Sequence, residues 1–193
     1  MAYTTIDDPE KYFQSKSYTG GSGDTAHTFD GTSDMQPDLV WIKNRTQTDN
    51  HAMIDSVRGS RKWIGSNVAD QEDSNNSAYL ASFNSDGFTT SDTDVVGKNG
   101  ETYASWSWKA GTSIGSTSTS GSGTAKTYTG SVNTTSGFSI IRYVGNGTAG
   151  HTIPHHLAQK PDMILVKHLG DGQQWASQWS PLGATKVMRF GTT

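Results

Sequence analysis

Short runs of apolar residues, separated by glycine and by Asn or Asp turn residues, recur through the first half of the chain. Apolar residues at every second position indicate a half-buried strand, and a short continuous apolar run indicates a strand covered on both faces. The pattern predicts eight strands, at 12–18, 26–29, 38–44, 51–55, 61–64, 79–83, 87–90 and 103–109. Only 55–63 and 70–80 are candidates for a helical turn.

Two of the predicted strands carry the most information about the core. Residues 39–42 form a continuous apolar run, as expected for a strand with cover on both faces. In 103–109, Trp106 and Trp108 alternate with Tyr103 and two serines. The alternation predicts that the two indoles face the core and that the serine side faces outward.

The chain resembles itself at a distance of about 125 residues. In each copy a tyrosine precedes a glycine loop, a His-Thr pair follows, and Pro-Asp then opens an apolar strand that ends in lysine. The first copy places these features at 18–23, 27–29 and 36–43, and the second copy places them at 143–148, 151–153 and 160–167. A period of this length is typical of tandem domains rather than of a solenoid.

The second copy is shorter than the first. The given sequence ends at Thr193, before any counterpart of residues 70–111. A sandwich without its last strands exposes unpaired edges. We therefore expect either that the polypeptide continues or that a neighbouring chain completes the fold.

Small polar residues fill the segment between the two copies. The run GTSIGSTSTSGSG at 111–123 has no periodicity that could bury a core, and a similar composition continues to about residue 136. The sequence therefore predicts a first domain at 1–111, a flexible or extended linker at 112–135, and the start of a second repeat at 136–193.

Composition favours a β-rich fold and excludes several classes of protein. The chain has 24 Ser, 25 Thr and 22 Gly, but also six Trp, seven Tyr and six Phe, whereas disordered chains are poor in aromatic residues. No apolar run reaches the ~20 residues of a membrane span, and a net charge of −3 argues against nucleic-acid binding. Without cysteine, disulfides and thiolate chemistry are excluded. We predict an all-β fold, an antiparallel β-sandwich of jelly-roll or concanavalin-like type that is repeated in tandem.

Two glycine motifs match functional signatures but lack the required context. G-x-G-x-x-G at 145–150 leads into His-Thr-Ile-Pro, whereas a dinucleotide site needs a helix whose N-terminus faces the pyrophosphate. G-x-S-x-G at 111–115 opens the polar linker rather than a turn between a strand and a helix. Both are interpreted as chance matches in glycine-rich loops, so no cofactor is predicted.

Three groups of side chains were weighed as metal or catalytic sites. The clustered histidines could offer imidazoles to a metal, but Pro154 interrupts them and structural histidines are favoured: His151, His155 and His156. An oxygen-rich patch suits calcium, although turn formation explains the same residues: Asp86, Asp92, Asp94 and Asn99. Carboxylates that could serve glycoside hydrolysis are interpreted as solvated surface charge: Asp55, Glu72 and Glu101. No metal site and no catalytic residue are predicted.

Several long motifs resemble one known family. They are MAYTTIDDPEKYFQ at 1–14, MQPDLVWIKNR at 35–45, DSVRG at 55–59, SFNSDGF at 82–88, YASWSWKAG at 103–111 and GFSII at 137–141. Over essentially the whole chain, the sequence resembles virion structural proteins of marine tailed phages, cyanophages in particular. Members of that family are often described as tail-fibre or lectin-like proteins. The resemblance implies a virion component with a β-sandwich fold, and it transfers no catalytic residue.

The resemblance implies a non-enzymatic protein, and we expect it to be the virion-docking, N-terminal part of a tail fibre. Its partners would be tail adaptor, nozzle or portal-associated proteins, and it would form a homo-oligomer, a trimer by analogy with phage attachment proteins. Two alternatives stay open: a capsid decoration or head-fibre protein that binds capsid protein, and a lectin-like module that binds a host surface glycan. Neither nucleic-acid binding nor membrane insertion is expected.

Two sets of residues follow from these expectations. Tyr12, Phe13 and Tyr18 precede the first glycine loop and are candidates for a docking or oligomer interface. Trp175 and Trp179 are candidates for stacking on sugar rings, although tryptophan at this spacing is more often part of a core.

Overall fold

A computed structural model describes residues 6–75 and 77–191 of the chain, and these residues form strands and two short 3-10 turns, Pro9–Lys11 and Ser180–Leu182. The first half contains β1 Phe13–Thr19, β2 Thr25–His27, β3 Leu39–Asn44, β4 Ala52–Asp55, β5 Lys62–Gly65, β6 Asp73–Ser74, β7 Leu80–Phe83, β8 Phe88–Thr90 and β9 Thr102–Trp108. The second half contains β10 Thr112–Ser118, β11 Ser120–Gly121, β12 Thr127–Asn133, β13 Phe138–Tyr143, β14 His151–Thr152, β15 Met163–Val166, β16 Trp175–Trp179 and β17 Met188–Phe190. The prediction of an all-β fold is confirmed.

The strands form five sheets in which every strand pair is antiparallel. The largest sheet has six strands in the order β1-β9-β3-β4-β5-β6, and a three-stranded sheet has the order β2-β8-β7. The second half contributes the sheets β10-β12-β13, β11-β14 and β15-β16-β17. Each of the eight strands predicted for the first copy overlaps an observed strand, because alternation and turn residues both mark these segments.

The main hydrophobic core lies between the six-stranded sheet and the β2-β8-β7 sheet. Val40, Ile42 and Ile54 of the large sheet and Leu80 and Phe88 of the small sheet are fully buried in one cluster. Side chains of this size each contribute roughly 1.5–3 kcal/mol when they are transferred from water to the interior. Burial between these two sheets is therefore the dominant stabilisation of the first half.

The face assignment predicted for the strand at 103–109 is wrong. Tyr103, Ser105 and Ser107 of β9 point into the core and are at most 1% exposed, whereas Trp106 is 38% exposed on the opposite face. The Tyr103 ring stacks on Tyr18 inside this core, with 5.3 Å between the ring centroids. Both faces of this central strand carry aromatic side chains, so alternation alone does not tell which face meets the main core.

The second half packs against the other face of the large sheet. Trp175 on β16 is buried with Met53 and Ile64, and its indole N–H donates to the Gly65 carbonyl at 2.8 Å. The Trp108 ring also stacks on Phe138 of β13, with 6.2 Å between the ring centroids.

Segment 112–135, predicted as a flexible or extended linker, contains regular strands. Strand β10 pairs with β12, and Tyr128 and Val132 on β12 are buried. Threonine is favoured in strands, and a chain of small polar residues can form a strand when a neighbouring strand pairs with its backbone, which low complexity in sequence does not reveal. The proposed division of the chain at residues 111 and 136 stays a prediction.

Two three-strand units have the same register. In β3-β4-β5, Leu39 pairs with Asp55 and Ala52 pairs with Gly65. In β15-β16-β17, the pairs are Met163 with Trp179 and Ala176 with Arg189. Apart from Trp175 with Phe190, every pair of the second unit follows from a pair of the first when 124 is added to both residue numbers.

Candidate functional site

An apolar cleft lies where the N-terminal segment meets the second half. Its volume is about 310 Å³, and its lining includes Tyr12 and Phe13 together with Ile6, Pro9, Trp108 and Phe138. Phe13 is 39% exposed and packs against Trp108 at 5.0 Å between ring centroids. Tyr12 and Phe13, two of the three predicted interface residues, are therefore brought together at an apolar surface.

Tyr18, the third predicted interface residue, lies elsewhere. Its ring is buried in the main core between Tyr103 and Phe88, and its hydroxyl donates to the Val96 carbonyl at 2.6 Å. Burial raises the pKa of Tyr18 well above its usual value. A side chain in this position does not reach a partner while the domain is folded, so the assignment of Tyr18 to an interface is corrected.

The two tryptophans predicted to stack on glycans differ in solvent exposure. Trp175 is only 4% exposed and its ring stacks on Phe190 at 5.6 Å, so it has no free face for a sugar. Trp179 is 42% exposed at the end of β16. The assignment of Trp175 is therefore corrected, because its ring is covered by Met53, Ile64 and Phe190. Trp179 shares that face of β16 but is exposed at the end of the strand, so it stays a candidate.

Strand β15 exposes four consecutive apolar residues, the longest such run among the described residues. All four side chains of Met163–Val166 are between 37% and 50% exposed, although they alternate between the two faces of the strand. Val187 and Met188, at the start of β17 on the opposite edge of the same sheet, are exposed as well. The signal for this site was present in the sequence, since its apolar run matches 39–42, a run that is covered in the first half.

The carboxylates Asp55 and Glu72 meet at one arginine. Arg58 bonds the Asp55 carboxylate through Nε, lies 3.2 Å from Glu72 through a terminal nitrogen and donates to the Met53 carbonyl at 2.9 Å. The side chains of this cluster are 5–12% exposed. The interpretation of these carboxylates as solvated charge is therefore wrong, because they are buried and paired.

Glu101, the third carboxylate, belongs to a different network. Its Oε2 accepts from the Asn44 side-chain amide at 2.6 Å, and the same amide nitrogen lies 2.8 Å from Asp49. The Asn44 oxygen accepts the N–H groups of Thr46 and Gln47 at 2.9 and 3.1 Å. Asn44 thus joins the end of β3 to three loops rather than serving chemistry.

The histidines and the oxygen-rich patch each have local partners. His151 bonds Asn146, and His156 lies 2.8 Å from the Tyr128 hydroxyl, so the two rings serve different contacts. Lys98 lies 3.7 and 3.9 Å from Asp92 and Asp94, an arrangement that favours turn chemistry over calcium. Within 6–75 and 77–191, no group of three or more His, Cys, Asp or Glu is placed to hold a metal.

The two glycine motifs lie in strand contexts. The loop at 145–150 joins β13 to β14, and Asn146 in this loop donates to the Ser122 and Thr124 carbonyls. Ser113, at the centre of G-x-S-x-G, is exposed on β10. In the described part of the chain no helix has the length and apolar character that crossing a bilayer requires.

The fold and the surface together define an all-β protein of antiparallel sheets. Its second half carries an exposed apolar strand. The chain belongs to the family described as Domain of unknown function (DUF7483), whose match covers residues 8–193. No curated protein matches the chain, and no solved structure matches it.

Proposed function

We propose that this protein is a non-enzymatic structural component of a tailed-phage virion, and specifically the docking part of a tail fibre. The observation that carries the structural role is the exposure of all four apolar residues of Met163–Val166 beside a well-packed first half. Monomeric proteins rarely leave contiguous apolar surface in water, and larger exposed patches mark interfaces. The phage assignment rests on the sequence motifs that resemble marine phage virion proteins.

The proposal includes the finer architecture. The core shared by the large sheet and the β2-β8-β7 sheet supports a β-sandwich of jelly-roll or concanavalin-like type. The equal register of β3-β4-β5 and β15-β16-β17 supports a tandem repeat of that unit. The cleft beside Tyr12 and Phe13 would then contact the tail machine or neighbouring copies in a homotrimer.

Mass spectrometry of density-purified particles tests the virion assignment. Peptides of this chain are expected in the particles at a constant ratio to the major capsid protein. Absence of the chain from particles that infect normally would overturn the proposal. Gold-labelled antibody or cryo-EM density then separates the tail from the shell, and labelling confined to the shell would support the decoration alternative instead.

A second candidate function is binding of a host glycan, and the exposed Trp179 favours it. Binding on a glycan array that disappears in Trp179→Ala, with unchanged folding, would support this function. Trp175→Phe is the matched control, because its buried position predicts no direct effect on glycan binding.

A further inference from the structure

Strands β3 and β15 make the same contacts with their next strand. The Ser56 N–H donates to the Asp38 carbonyl at 2.8 Å, and the Ser56 hydroxyl donates to Asp38 Oδ1 at 2.6 Å. The Ser180 N–H donates to the Asp162 carbonyl at 2.8 Å, and the Ser180 hydroxyl donates to Asp162 Oδ1 at 2.6 Å. The two strands are therefore equivalent in backbone and in side-chain contacts.

The opposite ends of the two strands agree as well. The Lys43 ammonium donates to the Asn44 carbonyl at 2.6 Å, and the Lys167 ammonium donates to the His168 carbonyl at 2.8 Å. These residues are again 124 positions apart. The contacts of each β3 residue therefore predict the contacts that the equivalent β15 residue can make with an added strand.

The two strands differ at their other edge. Strand β3 pairs there with β9, whereas β15 is an edge strand in the sheet formed by the described residues. Because the Asp162 carbonyl faces β16 and backbone groups alternate between edges, the N–H and C=O groups of Met163, Leu165 and Lys167 face the free edge. Their counterparts at 39, 41 and 43 face β9.

A carboxylate marks the end of this free edge. Asp38 Oδ2 accepts the backbone N–H groups of Ala110 at 2.9 Å and Gly111 at 2.6 Å, directly after β9, and Asp38 is buried. Asp162 is exposed, and its Oδ2 receives no hydrogen bond from the residues that the structure describes. In the second unit, the Asp162 carboxylate thus has a free acceptor oxygen where Asp38 accepts two backbone N–H groups.

We propose that β15 is an acceptor site for an added strand, which pairs with its free edge as β9 pairs with β3. The occupant is an extended segment with the pattern of 102–111, in which aromatic and small residues alternate before a small residue and a glycine. Main-chain hydrogen bonds would provide affinity, and the apolar faces of Met163–Val166 would be covered by the added side chains. The inference rests on strand register and stands whether or not the chain is a virion component.

A synthetic peptide with the sequence of residues 101–111 is the probe. We expect saturable binding to the whole protein by fluorescence anisotropy. The amides of Met163, Leu165 and Lys167 should exchange with solvent at least tenfold more slowly when the peptide is bound, since a ladder protects them. The amides at 39, 41 and 43 should keep their exchange rates, because β9 already covers them.

Backbone methylation of the peptide provides a matched pair of controls. In β9 the N–H groups of Ala104 and Trp106 face β3, and those of Ser105 and Ser107 face β1. A peptide N-methylated at the positions of Ala104 and Trp106 should lose binding. A peptide N-methylated at the positions of Ser105 and Ser107 should bind within about threefold of the unmodified peptide, because only the other edge is blocked.

The carboxylate gives a test on the protein side. Asp162→Ala should weaken peptide binding at least tenfold, because two N–H groups at the end of the peptide lose a charged acceptor. Asp162→Asn keeps an acceptor and its bond to Ser180, so its loss should be smaller. Asp34→Ala removes an exposed carboxylate of the first half and should leave binding unchanged.

Three outcomes would overturn the proposal. The first is no binding of the peptide at about 1 mM, the level of a very weak complex. The second is binding that leaves exchange at Met163, Leu165 and Lys167 unaltered. The third is protection of these amides without peptide that disappears on dilution, because a second copy of the chain would then occupy the edge.

Discussion

At the scale of single residues, several buried polar groups of the first half are held in defined contacts. Arg58 satisfies Asp55, Glu72 and the Met53 carbonyl at once, and His27 lies 2.9 Å from the Thr90 hydroxyl inside the core. Buried polar groups are costly when a partner is missing. Loss of one member of such a pair should therefore cost more than loss of an exposed charge.

Replacement of Arg58 by Leu should lower the free energy of unfolding by about 3–5 kcal/mol, because Asp55 stays buried without its counter-charge and Glu72 keeps only the partly exposed Lys62. Urea denaturation measures the change. Arg45→Leu is the control, since Arg45 is exposed, and it should change stability by less than about 0.5 kcal/mol. Equal effects of the two substitutions would contradict the role of the buried cluster.

His27 should make stability depend on pH. Burial, with a smaller contribution from Lys16, lowers the pKa of His27 from 6.5 to about 4. As pH falls from 6.5 to 4, His27 is therefore protonated in the unfolded chain but stays neutral in the folded chain. Stability from this residue is complete above pH 6.5 and declines through that window by about 2–3 kcal/mol.

Urea denaturation at several pH values measures this decline, with His27→Gln as the comparison. The glutamine amide can still bond Thr90 but does not titrate, so the variant should lose less stability between pH 6.5 and 4. His51, whose pKa is also lowered by burial and by Lys43, is present in both proteins and cancels in the comparison. Parallel pH profiles would show that His27 does not titrate as expected.

At the scale of elements, β9 decides how the large sheet is oriented. Its inner face carries Tyr103 and two serines, and its outer face carries the tryptophans. The strand and its alternation were predicted correctly from the sequence, but the predicted inner face, that of the tryptophans, was the wrong one. Both sides of a central strand can be apolar, and residue size does not say which side the main core occupies.

Two alanine substitutions on β9 test the faces. Tyr103→Ala should cost about 3–5 kcal/mol, because it empties a fully buried ring site and removes a hydroxyl that donates to the Asp94 carbonyl at 2.8 Å. Trp106→Ala should cost about 1–2 kcal/mol, because that indole is partly exposed and packs mainly on Trp41. Unfolding free energies in the reverse order would contradict the structure.

At the scale of the whole molecule, the described halves meet through aromatic contacts, through Leu169 and through a hydrogen bond from the Glu72 N–H to the Leu169 carbonyl. Trp175 inserts beside Met53 and Ile64, and Trp108 stacks on Phe138. The β15-β16-β17 sheet is otherwise exposed on strand β15. The second half therefore depends on one docked indole for much of its cover.

Trp175→Ala should selectively loosen the β15-β16-β17 sheet. Loss of the buried ring and of its bond to the Gly65 carbonyl should cost about 3 kcal/mol. Hydrogen exchange should then become on the order of a hundredfold faster at 163–190 and change little in β3 and β9. Trp179→Ala, which removes an exposed indole, should leave exchange in both regions nearly unchanged; equal effects would argue against docking through Trp175.

The sequence by itself determined the all-β class and the strands of the first half. These features depend on local alternation and turn residues, which can be read along one chain. Only the tertiary structure decided which face of β9 is buried, that Tyr18 and Trp175 lie inside, and that Asp55 and Glu72 share Arg58. It also decided that β15 has a free edge, because burial and pairing depend on neighbours that are distant in sequence.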